Sequence, residues 1–336
     1  MSPTTYFSHT ASVDVWDASF RWREGARLRD RTIDSTWQRV ADAIAGKTGA
    51  SAALWAGRFV DAFSQWRLLP DERLLRVAGT AGVMDNRAPL HAVLNVAAFV
   101  IAPTSTRARL DFDRIADTAA LAVRMLDDAA FAVPQAGEKQ IDVRVGVIGL
   151  ADALQLLDAP YDSPKARAQA HELAVAMARG TLLGSIELAR ERGASTEDVS
   201  ELAKLWRSRE MPASLIDDGL RWGVRHARIT AIEPHPQLAL LANNASDALD
   251  PLPCRMATAD SRPPVDPLRQ SRADGLSLQS QIELRAAMQP WIDLPIAYPL
   301  IADAEPSEAE SITLGELPAK LGLPPLRFRH LNWSDS

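Results

Sequence analysis

Residues 233–237, Glu-Pro-His-Pro-Gln, stand where a protein chain often binds an anion. They follow residues 228–232, which predict a strand, and lead into residues 235–248, which predict a helix. The free N–H groups at a helix N-terminus bind phosphate, and glycine lets the backbone approach it closely. Here Pro236 removes one N–H donor, and Glu233 adds a carboxylate that would repel phosphate. We therefore expect a structural turn; a pocket adapted to another ligand is the alternative.

The other residues of this turn do not restore an anion site. Pro234 and Gln237 add no positive charge, and His235 is expected to be mostly uncharged at neutral pH. Pro236 suits the first helical position, so the helix itself should form. These five residues are the candidate site, as remnant positions only. We expect no catalytic, cofactor-binding or metal-binding residue.

Sulfur and imidazole chemistry are both restricted. Cys254 is the single cysteine, which excludes an intrachain disulfide and a cysteine-based zinc site. It is expected to be a buried structural thiol, with a redox or radical cysteine as the alternative. The six histidines lie far apart along the chain without metal-site spacing, so no metal site is predicted. They are His9, His91, His171, His226, His235 and His330.

Composition excludes several classes of partner. The chain has 336 residues and a net charge of −6, without a basic stripe, so nucleic acid is not an expected partner. No apolar run approaches the roughly 20 residues of a membrane span, and the N-terminus does not read as a signal peptide. We expect a cytoplasmic protein.

Hydrophobic periodicity indicates a mainly helical α+β fold. An aromatic stripe, Trp55, Phe59, Phe63 and Trp66, predicts a packed core face rather than a ligand box. Residues 165–192 predict a long helix, in which small residues, including Gly180 and Gly184, would allow a neighbouring backbone to approach closely.

Three further patterns are assigned structural or surface roles. Gly146 and Gly149, between a predicted strand and helix, indicate tight packing rather than a nucleotide fingerprint. The adjacent acid pairs Asp127–Asp128 and Asp217–Asp218 are expected to be solvated, since neighbours on a helix point about 100° apart. Residues 302–310 predict an exposed acidic loop.

Several separated segments, in order, resemble the large subunits of ribonucleotide reductases, most closely the adenosylcobalamin-dependent class. The segments are "DVWDASFRW", "DSTWQRVADAIA", "WAGRFVDAFSQWRLLPDERLLRVAGTAG", "LNVAAFV", "FDRIADTAALAVRMLDDA", "RVGVIGLADALQLLDAPYDSPKA", "RITAIEPHPQLALLANNASDALDP" and "QIELRAAMQPWIDLPIAYPLIADAEPSEA". The resemblance implies a helical N-terminal region, 1–80, and a reduced remnant of the second half of the reductase α/β barrel, 81–336. Residues 261–274 resemble a flexible insertion.

The chain departs from the family at its catalytic parts. Only a short loop joins residues 76–82 to 94–100, where the resemblance implies most of a half-barrel and a finger loop carrying a radical cysteine. In the family, the turn corresponding to 233–237 reads Ala-Pro-Thr-Gly-Thr and binds the substrate diphosphate. Reduction driven by thiols needs two cysteines that form a disulfide and a third that carries the radical, and Cys254 is alone.

These departures predict a pseudoenzyme, a non-catalytic scaffold or regulatory protein that binds no adenosylcobalamin. Its expected partner is a second copy or a full-length reductase subunit, and the N-terminal region or that copy would cover the missing half-barrel. The alternative is an accessory or split subunit of a cobalamin-dependent ribonucleoside-diphosphate reductase, acting in deoxynucleotide synthesis for DNA.

Overall fold

The computed structural model describes residues 4–46, 48–136, 142–251, 277–302 and 307–330. Within these ranges the fold is mainly helical with small sheets, as predicted, and the strands form no closed barrel. The predicted insertion at 261–274 lies outside the described residues.

Twelve α-helices lie in the described ranges, several of which begin at a capping side chain such as Asp71, Asp111 or Ser163. They are α1 Thr10–Val15, α2 Ile33–Ala45, α3 Ala52–Ser64, α4 Glu72–Val77, α5 Phe112–Ala132, α6 Leu150–Leu156, α7 Pro164–Arg192, α8 Val199–Ser208, α9 Ala213–Trp222, α10 Pro236–Leu241, α11 Leu278–Met288 and α12 Glu308–Lys320.

The strands of the described ranges are short. They are β1 Arg23–Glu24, β2 Arg27–Leu28, β3 Leu68–Pro70, β4 Leu90–Asn95, β5 Val100–Ile101, β6 Arg109–Leu110, β7 Val143–Ile148, β8 Leu300–Ala302 and β9 Phe328–His330. The central sheet has the order β3-β4-β7, with β4 and β7 parallel. Residues 229–231 add one more bonded segment beside β7, where the Val145 N–H donates to the Ile229 carbonyl.

The N-terminal region covers one edge of this sheet. Strand β3 pairs antiparallel with β4, Leu68 lying opposite Leu94, and Leu68 and Leu69 are fully buried. The main hydrophobic core continues from Trp16 to Ile296, so residues on both sides of the predicted boundary at 80 share it. A sheet edge that is paired does not present unsatisfied backbone groups. Through β3, the N-terminal region occupies the pairing positions along this edge of β4.

The two longest helices, α5 and α7, pack at very short range. A Cβ built on Gly180 would lie 2.1 Å from the Ala116 carbonyl oxygen, and one on Gly184 would lie 2.7 Å from that of Ala120. The predicted close approach is confirmed. Helix α7 ends where the sequence indicates, at Gly193, whose φ is 93°.

Several predicted elements differ from the structure. The strand predicted at 228–232 forms only a single bridge, between Val145 and Thr230. The helix predicted at 235–248 ends at Leu241, because Asn243 and Asn244 adopt positive φ angles that a right-handed helix cannot continue. The aromatic stripe belongs to α3 only as far as Phe63, since Trp66 lies beyond the helix and has a φ of 56°. Phe59 and Phe63 are fully buried, which confirms the core assignment for both.

None of the described helices is both long enough and apolar enough to cross a bilayer.

Candidate functional site

The turn at 233–237 is closed by its own neighbours. The His235 N–H donates to Asp247 Oδ1 at 2.7 Å, and Pro236, the first residue of α10, has no N–H. Gln237 Oε1 accepts a hydrogen bond from Arg76 Nη2 at 2.7 Å. The backbone positions 235 and 236 therefore offer no free N–H group to an anion at the N-terminus of α10. This helix is also only six residues long. Glu233 and Pro234 remain exposed.

The N-terminal segment holds α10 from a second side. Ser12 Oγ donates to the Leu240 carbonyl at 2.5 Å, and the Ser8 N–H donates to Asn243 Oδ1 at 2.7 Å. These contacts join residues more than 200 positions apart in sequence. They fix the helix that follows the turn against the N-terminal region.

His235 stacks on a second histidine that the sequence did not connect with it. The rings of His91 and His235 have centroids 4.2 Å apart and an interplanar angle of 24°. His91 lies in β4, and its Nδ1 is 3.0 Å from Asp71 Oδ2, which also accepts the His91 N–H at 3.1 Å. Its Nε2 is buried and has no hydrogen-bond partner among the described residues.

Asp71 is a rigid support for His91. It caps α4, its side chain is fully buried, and it binds Arg73 through both carboxylate oxygens. Burial opposes ionisation, but hydrogen bonds from His91 and Arg73 hold the pKa of Asp71 well below its ordinary value. Asp71 therefore stays charged and fixes the orientation of the His91 ring.

Glu72 completes a cluster with the two histidines. One ligand atom from each of Glu72, His91 and His235 lies within 4.8 Å of the other two. Burial raises the pKa of Glu72 above its ordinary value. Burial, aided by His91, lowers the pKa of His235 to about 3, so that ring is neutral at physiological pH, as expected from the sequence. The histidines predicted to lie apart include one pair that the fold brings into contact.

The acid pair Asp127–Asp128 is buried, and the prediction of solvated surface is wrong. Asp127 accepts from His226 Nε2 at 2.8 Å and from Arg192, and Asp128 accepts from Arg124 Nε at 3.1 Å and from Arg192. Burial opposes ionisation, but these partners of Asp127 lower its pKa to about 2, whereas burial dominates at Asp128 and raises its pKa. The cluster joins α5 to the end of α7.

Of the other acidic patterns, the pair Asp217–Asp218 lies at the surface as expected, whereas the described part of 302–310 is not a loop: Ala302 is the buried end of β8, and residues 308–310 form the first turn of α12. Asp217 is exposed and Asp218 half-buried, and Glu308 and Glu310 of the segment 302–310 are exposed; residues 303–306 lie outside the described ranges.

A second buried ion pair lies between α11 and the segment after α10. Arg285 is fully buried and its Nη2 is 2.7 Å from Asp250 Oδ2. The Tyr161 hydroxyl donates to the other oxygen of Asp250 at 3.0 Å, and the guanidinium lies 4.3 Å from the centre of the Tyr298 ring. The Arg285 Nη1 and Nη2 groups are bonded to the Gln281 carbonyl and to Asp250, while its Nε has no hydrogen-bond partner among the described residues. Pairing of this kind is typical of a structural ion pair.

The glycine turn after β7 is a packing feature. Gly149 has a φ of 73°, and a Cβ built on it would lie 2.3 Å from Asn95 Oδ1. A Cβ on Gly146 would lie 2.7 Å from the Ala231 carbonyl oxygen. Both glycines allow close approach, as predicted. A groove of about 930 Å³ opens elsewhere, between α3, α5 and α7, and residues 233–237 do not line it.

Comparison with known proteins now places the sheet and the turn in a family. Residues 90–261 match the family model described as the ribonucleotide reductase barrel domain, which is 172 of 336 residues. The chain belongs to the ribonucleotide reductase large-subunit family. Two relatives, the vitamin B12-dependent ribonucleoside-diphosphate reductases of Mycobacterium tuberculosis strains CDC 1551 / Oshkosh and ATCC 25618 / H37Rv, are each 32% identical over 146 residues.

The resemblance drawn from the sequence, including its vitamin B12-dependent class, is confirmed. The matching region covers 41% of this chain but only 19% and 18% of the two relatives. This reductase-family chain therefore spans less than a fifth of each curated relative. Strand β4, β7 and the turn at 233–237 all lie in the matched barrel region, while Asp71 and Glu72 lie before it.

Sequence reasoning identified His235 but not its neighbours. No sequence pattern singles out Asp71 or Glu72, and His91 is only one of six histidines without metal-site spacing. The contact between His91 and His235 depends on the tertiary fold, and no sequence spacing relates residue 91 to residue 235. Cys254 lies outside the described residues.

Proposed function

We propose that this member of the reductase family does not reduce ribonucleotides and acts as a scaffold or regulatory protein through a protein partner. The observation that carries the proposal is the closed turn at 233–237. The His235 N–H is already bonded to Asp247, and Pro236 offers no N–H, so a diphosphate finds neither donor.

The sulfur inventory supports the same conclusion. The chain contains one cysteine, whereas transfer of two electrons from thiols to a ribonucleotide forms one disulfide from two cysteines. A third thiol would have to carry the radical. Cys254 supplies at most one of these three roles.

We propose that this chain binds no adenosylcobalamin. When bound, this cofactor supplies a radical that a cysteine must receive, and Cys254 is the single cysteine of the sequence and lacks a second thiol to complete the reduction. We therefore assign it no residue of this chain. The proposed scaffold or regulatory role does not require adenosylcobalamin.

The activity test uses the purified full chain with a ribonucleoside diphosphate, adenosylcobalamin and a dithiol reductant. We expect no deoxynucleotide above the level of a protein-free control. Product formation that disappears in a Cys254→Ser variant would refute the proposal.

The closed turn is tested by calorimetric titration with ADP. The chain as it stands should bind no ADP at this site. The matched double variant is Pro236→Gly with Asp247→Ala. The first substitution restores an N–H at position 236, and the second frees the His235 N–H, so this variant should gain diphosphate binding. Micromolar ADP binding by the unsubstituted chain, weakened by a change at Gln237, would contradict the closed-turn argument.

The alternative is an accessory or split subunit of a cobalamin-dependent reductase in deoxynucleotide synthesis. In that alternative, a separate chain would supply the missing barrel half. The pairing of β3 with β4 argues against its docking along that edge of β4, because β3 already occupies the edge. Mixing this chain with a separate chain that carries the finger loop tests the alternative. Nucleotide reduction by the mixture, absent from either component, would favour it.

The partner is proposed to be a second copy or a full-length reductase subunit, met in the cytoplasm. Sedimentation of the chain alone, and with a full-length vitamin B12-dependent reductase, separates the two. If this chain sediments as a monomer both alone and in the presence of the reductase, neither a second copy nor the reductase subunit is its partner.

A further inference from the structure

We propose that Glu72, His91 and His235 form a binding site for a divalent transition metal, with zinc as the ion whose chemistry fits best. The inference is independent of the reductase question, because the ligands include Glu72, which lies before the matched barrel region, and the donor set does not depend on nucleotide or thiol chemistry. It also goes beyond the expectation from the sequence, which predicted no metal site.

The donor set selects the class of ion. Two imidazoles and one carboxylate are typical zinc ligands, at bond lengths of about 2.0–2.2 Å. Magnesium and calcium prefer all-oxygen sites, so the two imidazoles disfavour them. Three protein ligands leave a fourth tetrahedral position for water or another small group.

The geometry is close to what such an ion requires. The ligand atoms lie within 4.8 Å of one another, whereas tetrahedral zinc holds them about 3.3 Å apart. Contraction by about 1.5 Å is needed, and rotation of the partly buried Glu72 and His235 side chains can supply it, while Asp71 holds His91 in place. The stacked histidine rings would then separate, so that each directs one nitrogen to the ion.

His91 carries the strongest support. Its Nδ1 faces the buried Asp71 carboxylate at 3.0 Å, so an N–H there leaves Nε2 as the nitrogen available to an ion. That Nε2 is buried without a hydrogen-bond partner, which is unfavourable unless another group satisfies it. A carboxylate bound to the far nitrogen of a metal-bound histidine is the usual supporting arrangement. Asp71 is therefore the positioning residue.

Charge at the cluster is compatible with a cation. The guanidinium of Arg73 is engaged by both oxygens of Asp71, and that of Arg76 binds Gln237. Glu72 offers the carboxylate that faces the two rings. A bound ion would connect α4 and β4 to the turn at 233–237, parts of the chain more than 140 residues apart.

The test is zinc binding to the tag-free full chain, measured by competition with a chromophoric chelator. We expect one equivalent of zinc per chain, unaffected by excess magnesium, and a rise in Tm on zinc addition. His91→Gln and His235→Gln should each weaken binding at least 10-fold. His171→Gln, which alters a histidine outside the cluster, is the matched control and should bind as the parent does.

Cobalt substitution reports the ligands directly. The Co²⁺-loaded chain should show visible absorption bands that shift in Glu72→Gln and in Asp71→Asn, which retains the capping side chain of α4. Circular dichroism confirms that each variant is folded, and Glu72→Gln preserves the test if a histidine variant does not fold. Absence of stoichiometric zinc binding, or binding unchanged in His91→Gln and His235→Gln together, overturns the proposal and leaves the proposed function untouched.

Discussion

Replacing Gly180 by alanine should force α5 and α7 apart. The new Cβ would lie 2.1 Å from the Ala116 carbonyl oxygen, whereas ordinary contact begins at 3.4 Å, so the backbones must separate by about 1.3 Å. The clash is with backbone atoms and cannot be relieved by a side-chain rotation. Overpacking of this kind costs about 1–3 kcal/mol, which exceeds the roughly 1 kcal/mol that alanine gains over glycine in a helix.

The matched control is Gly57→Ala in α3. Nothing lies within 4 Å of a Cβ at Gly57, so the same chemical change should stabilise the protein by about 0.5–1 kcal/mol. Urea unfolding followed by circular dichroism measures both variants. The two substitutions should shift the midpoint in opposite directions. A Gly180→Ala protein as stable as the parent would show that α5 and α7 are not packed as described.

Two further predictions concern buried charges. Arg285→Met leaves the Asp250 carboxylate buried without its cation, which should lower the free energy of unfolding by about 3–5 kcal/mol. In urea titrations, the double variant Arg285→Met with Asp250→Leu should lose less stability than the sum of the two single variants. Strict additivity would contradict the pairing. The pKa of Asp127 is depressed to about 2, so its contribution is present above pH 4 and is lost as pH falls from 4 towards 2. At about 1.4 kcal/mol per pKa unit this contribution is about 2 kcal/mol. When the free energy of unfolding is measured against pH, the Asp127→Asn variant should lack this loss between pH 4 and 2. An unchanged profile between pH 4 and 2 would assign the loss of stability to other groups.

Much of the helical framework could be predicted because its signals are local. The cap at Ser163 and the stop at Gly193 define α7, and the small residues facing α5 predict its close packing. The end of α10 could not be predicted in the same way. Asn243 and Asn244 take left-handed conformations while the Asn243 side chain is held by Ser8, a contact that depends on the fold.

Burial of charge was the least predictable property. Asp127 and Asp128 point about 100° apart on α5, which suggests two solvated side chains. Arg192, at the end of α7, reaches both carboxylates, so they can be buried together. A charged side chain can be buried only where it is paired, and although Arg124 is a local i,i+4 partner of Asp128, Arg192 and His226 come from positions that the local sequence does not identify.

The sequence by itself determined the family, through segments that match it in order, and the mainly helical character, through hydrophobic periodicity. It also predicts the loss of anion binding at the turn, because a proline stands where an N–H donor is needed. Only the tertiary structure decided that β3 pairs along β4, and that Glu72, His91 and His235 meet above Asp71. Strand pairing and side-chain clusters depend on contacts between distant segments, and no local periodicity encodes which segments will meet.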